Sequence, residues 1–140
     1  MDTRSLYPAG RALVGTLFAV SGFAKIAGFE AVVRWMAAGG VPAPVPLLVL
    51  TIALEVGAGL ALATGRGARF AAAALAAFVV PVTLVFHAFW LAGAGAFQDQ
   101  LAHFLKNVAI LGALLVLFDA EQRRHAARAR ASRQVQVRVL

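Results

Sequence analysis

An all-α, integral-membrane four-helix bundle is the fold this chain predicts, on three observations. Apolar residues make up 61% of its 140 residues and charged ones only 14%, with a mean hydropathy of +0.82. Four long stretches are almost free of charge: twenty residues without one separate Arg34 from Glu55, and His87 is the only ionisable group between Arg69 and Asp99. Each stretch is long enough to cross a hydrocarbon core of ~30 Å, and a water-soluble bundle would need charged faces that these segments lack.

The helices are expected at about 8–28, 46–64, 68–91 and 101–119, so that residues 1–120 form the bundle and 121–140 a basic tail. Pro8 suits a first helical turn. The opening run after Arg4 and Arg11 has the look of a signal peptide, but it continues through Phe29 and three further apolar segments follow, which favours a span. Pro42, Pro44 and Pro46 hold the approach to the second helix extended, and Gly65-Arg66-Gly67 reads as a tight turn. Pro81 lacks the N–H that would bond to the carbonyl of Ala77, which predicts a kink in the third helix. Gly93 and Gly95 open the last loop, where Gln98, Asp99 and Gln100 read as a solvated lip. Beyond Asp119 a frayed helical extension is expected. The alternation of Val135, Val137 and Val139 allows a short strand, although termini are more often disordered.

An even number of spans leaves both ends on one side of the membrane. Arg4, Arg11, Arg66, Arg69 and six tail arginines (Arg123, Arg124, Arg128, Arg130, Arg133, Arg138) share that side, against Lys25, Arg34 and Lys106 on the other, which predicts N-in, C-in. The loops containing Trp35 and Phe97 then face outward. The net charge of +7 comes largely from the tail, and a basic segment beside a membrane points to anionic lipid rather than nucleic acid. The chain has no cysteine, which excludes disulfides, thiolate redox chemistry and cysteine-ligated clusters within it.

Polar residues inside the apolar stretches are the candidates for chemistry, because a charge at the centre of a membrane helix costs ~3 kcal/mol and tends to face the bundle interior. Glu55 is the deepest, near the middle of the second helix. Lys25, His87, Lys106 and Asn107 lie toward the outer ends of theirs, so a pocket opening outward with Glu55 at its floor is expected. Ser21 with Lys25, Thr83 with His87, and His103 with Lys106 and Asn107 are three or four residues apart, which gathers the polar atoms of each helix on one face. Gly57 and Gly59 remove bulk beside Glu55, for a close backbone approach or for a ligand.

Each candidate has a structural alternative. Glu55 is either a carboxylate neutralised by Lys106 or Lys25 that fixes helix packing, or a group that moves protons or binds ligand. Lys25 could snorkel to the interface, Asn107 could serve as interhelical glue, and Phe86, Phe89 and Trp90 could form an aromatic belt. His87 and His103 fall at similar depth on adjacent helices, as two axial haem ligands would, but no further spacing supports a tetrapyrrole.

The polar landmarks, in order, resemble the DoxX family of small four-span membrane proteins. They run from Gly15–Phe18, Ser21-Gly22 and Lys25 through Gly40-Val41-Pro42 and Glu55-Val56-Gly57-Ala58-Gly59-Leu60, then Gly65 and Arg69. They continue with Pro81, Thr83, Phe86-His87, Phe89, Gln100, Phe104, Lys106-Asn107, Gly112 and Leu115, so that the likeness covers about residues 10–118. The resemblance implies a membrane subunit of a quinone-linked oxidoreductase or a partner of redox-defence enzymes, in the bacterial inner membrane. The family provides no catalytic assignment to carry onto Glu55 or His87. A quinone would need apolar walls, here Phe86 and Phe104, and donors, here His87 with Lys106 or Asn107. Lys25 stands beside them, and Glu55 would serve as proton relay. Electrons would come from a redox partner. A solute or proton transporter acting as a homo-oligomer, and a non-catalytic scaffold for a partner enzyme, are the alternatives.

Overall fold

The computed structural model describes residues 3–138. They form α1 (Thr3–Ala27), α2 (Phe29–Ala38), α3 (Pro44–Thr64), α4 (Ala68–Phe86), a 3-10 turn (Phe89–Leu91) and α5 (Phe97–Arg138), with no strand among the described residues. Four stretches are long and apolar enough to span a membrane: Leu6–Ala27, Pro44–Thr64, Ala68–Leu91 and Phe97–Gln134. The bundle is therefore all-α with four membrane-length helices. Leu13, Leu50, Phe70 and Val116 turn outward and are largely exposed, as side chains that face lipid must be.

Several boundaries depart from the expected ones. The third helix ends at Phe86 rather than 91: the His87 N–H closes on the Thr83 carbonyl at 3.0 Å, and a 3-10 turn follows. α4 runs through Pro81 as one helix, with the Thr83 hydroxyl donating to the Val79 carbonyl at 2.6 Å. α5 begins at Phe97, so Gln98, Asp99 and Gln100 belong to its first turn and not to a loop. It then runs on through Val135 and Val137 to Arg138, in place of a strand or a disordered end; Val139 lies outside the described residues. Trp35 stands in α2, an amphipathic helix, where a loop was expected.

α1 and α3 make the closest pair in the bundle, through a seam of small residues. A Cβ on Gly15 would collide with the backbone of Ala63 and Gly59, and one on Gly59 would lie 2.7 Å from the Ala19 nitrogen. These main chains touch, which is how membrane helices gain packing energy without a hydrophobic drive between them. α3 packs next on α4 and α4 on α5, whereas α1 and α5 adjoin weakly. The turn from α3 to α4 uses Gly65 (φ 84) and Gly67 (φ 66), the left-handed backbone that glycine adopts without a Cβ penalty.

The packed core fills the half of the bundle nearest that turn, where Phe18, Leu62, Leu75, Leu114 and Leu117 meet. At the same end Glu121 of α5 accepts a hydrogen bond from the Tyr7 hydroxyl at 2.7 Å and pairs with Arg11 at 3.3 Å. The Arg124 guanidinium sits 4.3 Å above the Tyr7 ring. This latch ties the base of α1 to α5, while the opposite half of the bundle encloses a cavity.

Candidate functional site

α1 and α3 together carry the charged pair of the cavity. Ser21 and Lys25, one turn apart on α1, meet Glu55 of α3: the Lys25 ammonium lies 2.8 Å from one carboxylate oxygen and 3.1 Å from the other. It also donates to Ser21 at 2.7 Å, and the Ser21 hydroxyl stands 3.4 Å from the carboxylate. Glu55 is buried, with 6% of its side chain exposed against 26% for Lys25. The seam brings them together, because Gly22 leaves room for Val56 and the Glu55 stem where a Cβ would collide.

The pair lies in a cavity of about 460 Å³, within the usual range for small-molecule sites. Lys25, Glu55, Phe86, His87, Lys106 and Asn107, six of the sequence candidates, line it. Of the two lysines expected to neutralise Glu55 it is Lys25 that reaches it, instead of snorkelling to the interface. Lys106 turns to His103 on its own helix, 2.9 Å away. The Asn107 amide donates to the Thr83 hydroxyl at 3.0 Å, joining α5 to α4, and His87 Nδ1 lies 3.1 Å from the Gln100 side-chain oxygen.

Phe104 lies outside this cavity. It packs among Phe89 and Trp90 and lines a small outward groove with Thr83 and Asn107. The second aromatic wall is Trp35 instead, stacked on Phe86 with ring centroids 4.3 Å apart. Val32, Trp35 and Met36 of α2 all line the cavity. Their spacing of three and four was the available signal, hidden in a segment too short to read as a span. Thr51 on α3 also faces the cavity and carried no signal beyond being polar. Gly57 differs from Gly59 in that a Cβ on it would meet nothing.

The histidine pair does not fit a haem. The rings of His87 and His103 stack face to face, centroids 5.0 Å apart and 19° from parallel, so they present π faces and not nitrogens to each other. No group of three or more potential metal ligands occurs among the described residues.

Four membrane-length helices around a cavity lined by an ion pair define a small multi-pass membrane protein with a ligand-sized interior site. The DoxX family model matches residues 7–88, more than half of the chain, and the chain belongs to that family. The match holds Ser21, Lys25, Glu55, Phe86 and His87, whereas α5 with Lys106 and Asn107 lies beyond it. No curated protein and no solved structure matches the chain.

Proposed function

We propose that the chain is a membrane component of a quinone-linked redox system that binds a quinone, or a similar small ring with carbonyl groups, in the central cavity. The observation that carries this reading is the pairing of a Trp35–Phe86 wall with hydrogen-bonding groups in one cavity. A flat ring needs apolar faces, and its carbonyls need donors, which Lys25, His87, Lys106 and Asn107 supply. Reducing a quinone to its quinol takes two electrons and two protons. The electrons come from a partner protein, since these side chains are not redox-active, and the protons pass through the Lys25–Glu55 pair and His87.

In this reading the bundle sits N-in, C-in in the bacterial inner membrane with the cavity toward the outer face. Its arginine-rich extension meets anionic headgroups. α5 continues without a break, so only the arginines nearest the bilayer, Arg123 and Arg124, about 6–8 Å along the helix beyond Asp119, lie within a Debye length of ~10 Å and gain about 1 kcal/mol each. A transporter would need a path through the bundle, and the close packing of Phe18, Leu62, Leu75 and Leu114 beneath the cavity gives that reading no support. The scaffold reading does have an observation in its favour: Lys25, Glu55 and Ser21 already satisfy one another.

Quinone binding by purified protein separates the two. Glu55→Gln, Lys25→Met, His87→Ala and Lys106→Met are expected to weaken it, the first two by tenfold or more. Binding unchanged in all four would sink the quinone reading, and variants that lost only thermal stability would leave the scaffold.

A further inference from the structure

The walls of the cavity are closed on two sides and open on a third. Its lining residues on α3 and α4 are buried or half-buried, with Leu48 at 0%, Glu55 at 4% and Val79 at 6% exposure. On α1 the lining residues Leu17 and Val20 are 45% and 60% exposed, and Lys106 on α5 is exposed as well. A residue that lines a cavity and also faces outward is part of its rim. The rim therefore takes in Trp35 of α2, 52% exposed, and runs down α1 and α5, the one adjoining pair of long helices that packs weakly.

Chain arithmetic locates the opening. Tyr7 and Glu121 touch at the base, and fourteen residues separate Tyr7 from Ser21 on α1 and Asn107 from Glu121 on α5. At a rise of 1.5 Å per residue, Ser21 and Asn107 both stand ~21 Å above the latch. α1 and α5 share the core through Phe18 and Leu114, and beyond these the cavity separates them. Leu17 lies at the middle of the membrane-length stretch Leu6–Ala27, so the slot reaches the depth of the hydrocarbon.

We infer that the cavity opens sideways to the bilayer between α1 and α5, and that its occupant is an amphiphile dissolved in the membrane. Its polar head rests at Lys25 and Glu55, and its apolar chain trails out past Leu17, Val20 and Ile110. The rim fits that shape: Lys106 and Asn107 stand at its upper part, and the apolar side chains lie below them. This deepens the quinone reading by assigning the site to long-tailed ligands delivered from lipid and not to solutes delivered from water. The latch at the base lets α1 and α5 stay apart above it, because their union there depends on Glu121 and not on packing along their whole length.

The test uses the full chain in vesicles containing a long-chain alcohol with a diazirine on the carbons next to its polar head, which probes the interior, and a phosphatidylcholine with a diazirine at the end of one acyl chain, which probes the outer surface. Light-driven adducts mapped by mass spectrometry are expected on Thr51 and Phe78 inside the cavity as well as on outward Leu13 and Val116. Val20→Trp, at an exposed position that tolerates the larger side chain, fills the slot. It is expected to remove the interior adducts, keep the outer ones and leave thermal unfolding unchanged. The same variant should slow association of a long-tailed quinone by about tenfold or more, within the decades over which variants of one site differ. Adducts confined to outward residues, interior adducts that persist in Val20→Trp, or cross-links between two copies through Leu17 would each overturn lateral access. Interior adducts without quinone binding would overturn the quinone reading alone, and quinone binding without interior adducts would overturn lateral access alone.

Discussion

The Lys25–Glu55 pair is unequal, and the inequality predicts which partner can be lost. Glu55 is buried with 6% of its side chain exposed, whereas Lys25, at 26%, keeps part of its side chain accessible. Removing one partner of a buried pair costs about 3–5 kcal/mol because the other charge is left without compensation. Lys25→Met strands the carboxylate beneath apolar walls and is expected to cost toward the upper end of that range. In Glu55→Gln the ammonium keeps Ser21, 2.7 Å away, and can turn toward water, so the loss should be smaller. The double variant Lys25→Met/Glu55→Leu should recover much of the stability of Lys25→Met. Thermal unfolding in one detergent measures all three, and a Glu55→Gln protein less stable than Lys25→Met would contradict this account of the pair. His87 calls for a different experiment, since its partner Gln100 is neutral: His87→Gln should alter ligand affinity with little change in melting temperature.

At the scale of the helix, the α1–α3 seam makes a sharper distinction between glycines than their sequence does. Gly57 and Gly59 stand two apart, yet only Gly59 faces a main chain. Gly59→Ala sets a Cβ 2.7 Å from the Ala19 nitrogen, where backbone cannot give way, and should lower the melting temperature and weaken the Lys25–Glu55 pair one turn above. Gly57→Ala meets nothing and gains helix propensity, up to about 1 kcal/mol, so it should be neutral or stabilising. Equal effects at the two positions would mean that the seam is not where the helices touch. What the sequence made legible follows the same division. The spans were readable from hydropathy alone, and Glu55 was readable as a buried charge facing the bundle interior because it interrupts one. α2 was not: ten residues cannot span a bilayer, and their apolar stripe of Val32, Trp35 and Met36 sits between glycines that read as a loop. Phe104 was expected as an apolar wall of the site, but the 3-10 turn brings Phe89 and Trp90 against it and it lies outside the cavity. The run of Ala and Arg beyond Asp119 carries no breaker, so the helical extension expected there is continuous with α5 and reaches Arg138 without giving way to a strand or a disordered end.

For the molecule as a whole, the contacts sharpen the charge argument for topology. Lys25 counts among the few cations at the cavity end, but it is committed to Glu55 and contributes little free charge there. At the other end Arg11 and Arg123 are likewise paired, with Glu121 and Asp119, but Arg66 and the remaining exposed arginines of the α5 extension stay free among the described residues, so the imbalance survives when paired cations at both ends are set aside. Arg69, 3.4 Å from Gln122 through its guanidinium, joins the same basic face. The absence of cysteine permits a direct test with single replacements at exposed sites in intact cells. Ala94→Cys, in the loop before α5, should react with a membrane-impermeant maleimide without permeabilisation, whereas Ser132→Cys and Arg66→Cys should react only after it. Ser132 and Arg66 must behave alike whichever way the bundle is inserted, because the latch of Tyr7 and Arg11 on Glu121 and the contact of Arg69 with Gln122 hold the extension of α5 at the same end as the α3–α4 turn. Labelling of Ala94→Cys only in permeabilised cells would reverse the topology and turn the cavity inward. A difference between Ser132→Cys and Arg66→Cys would show that α5 does not pass through the bilayer as one helix.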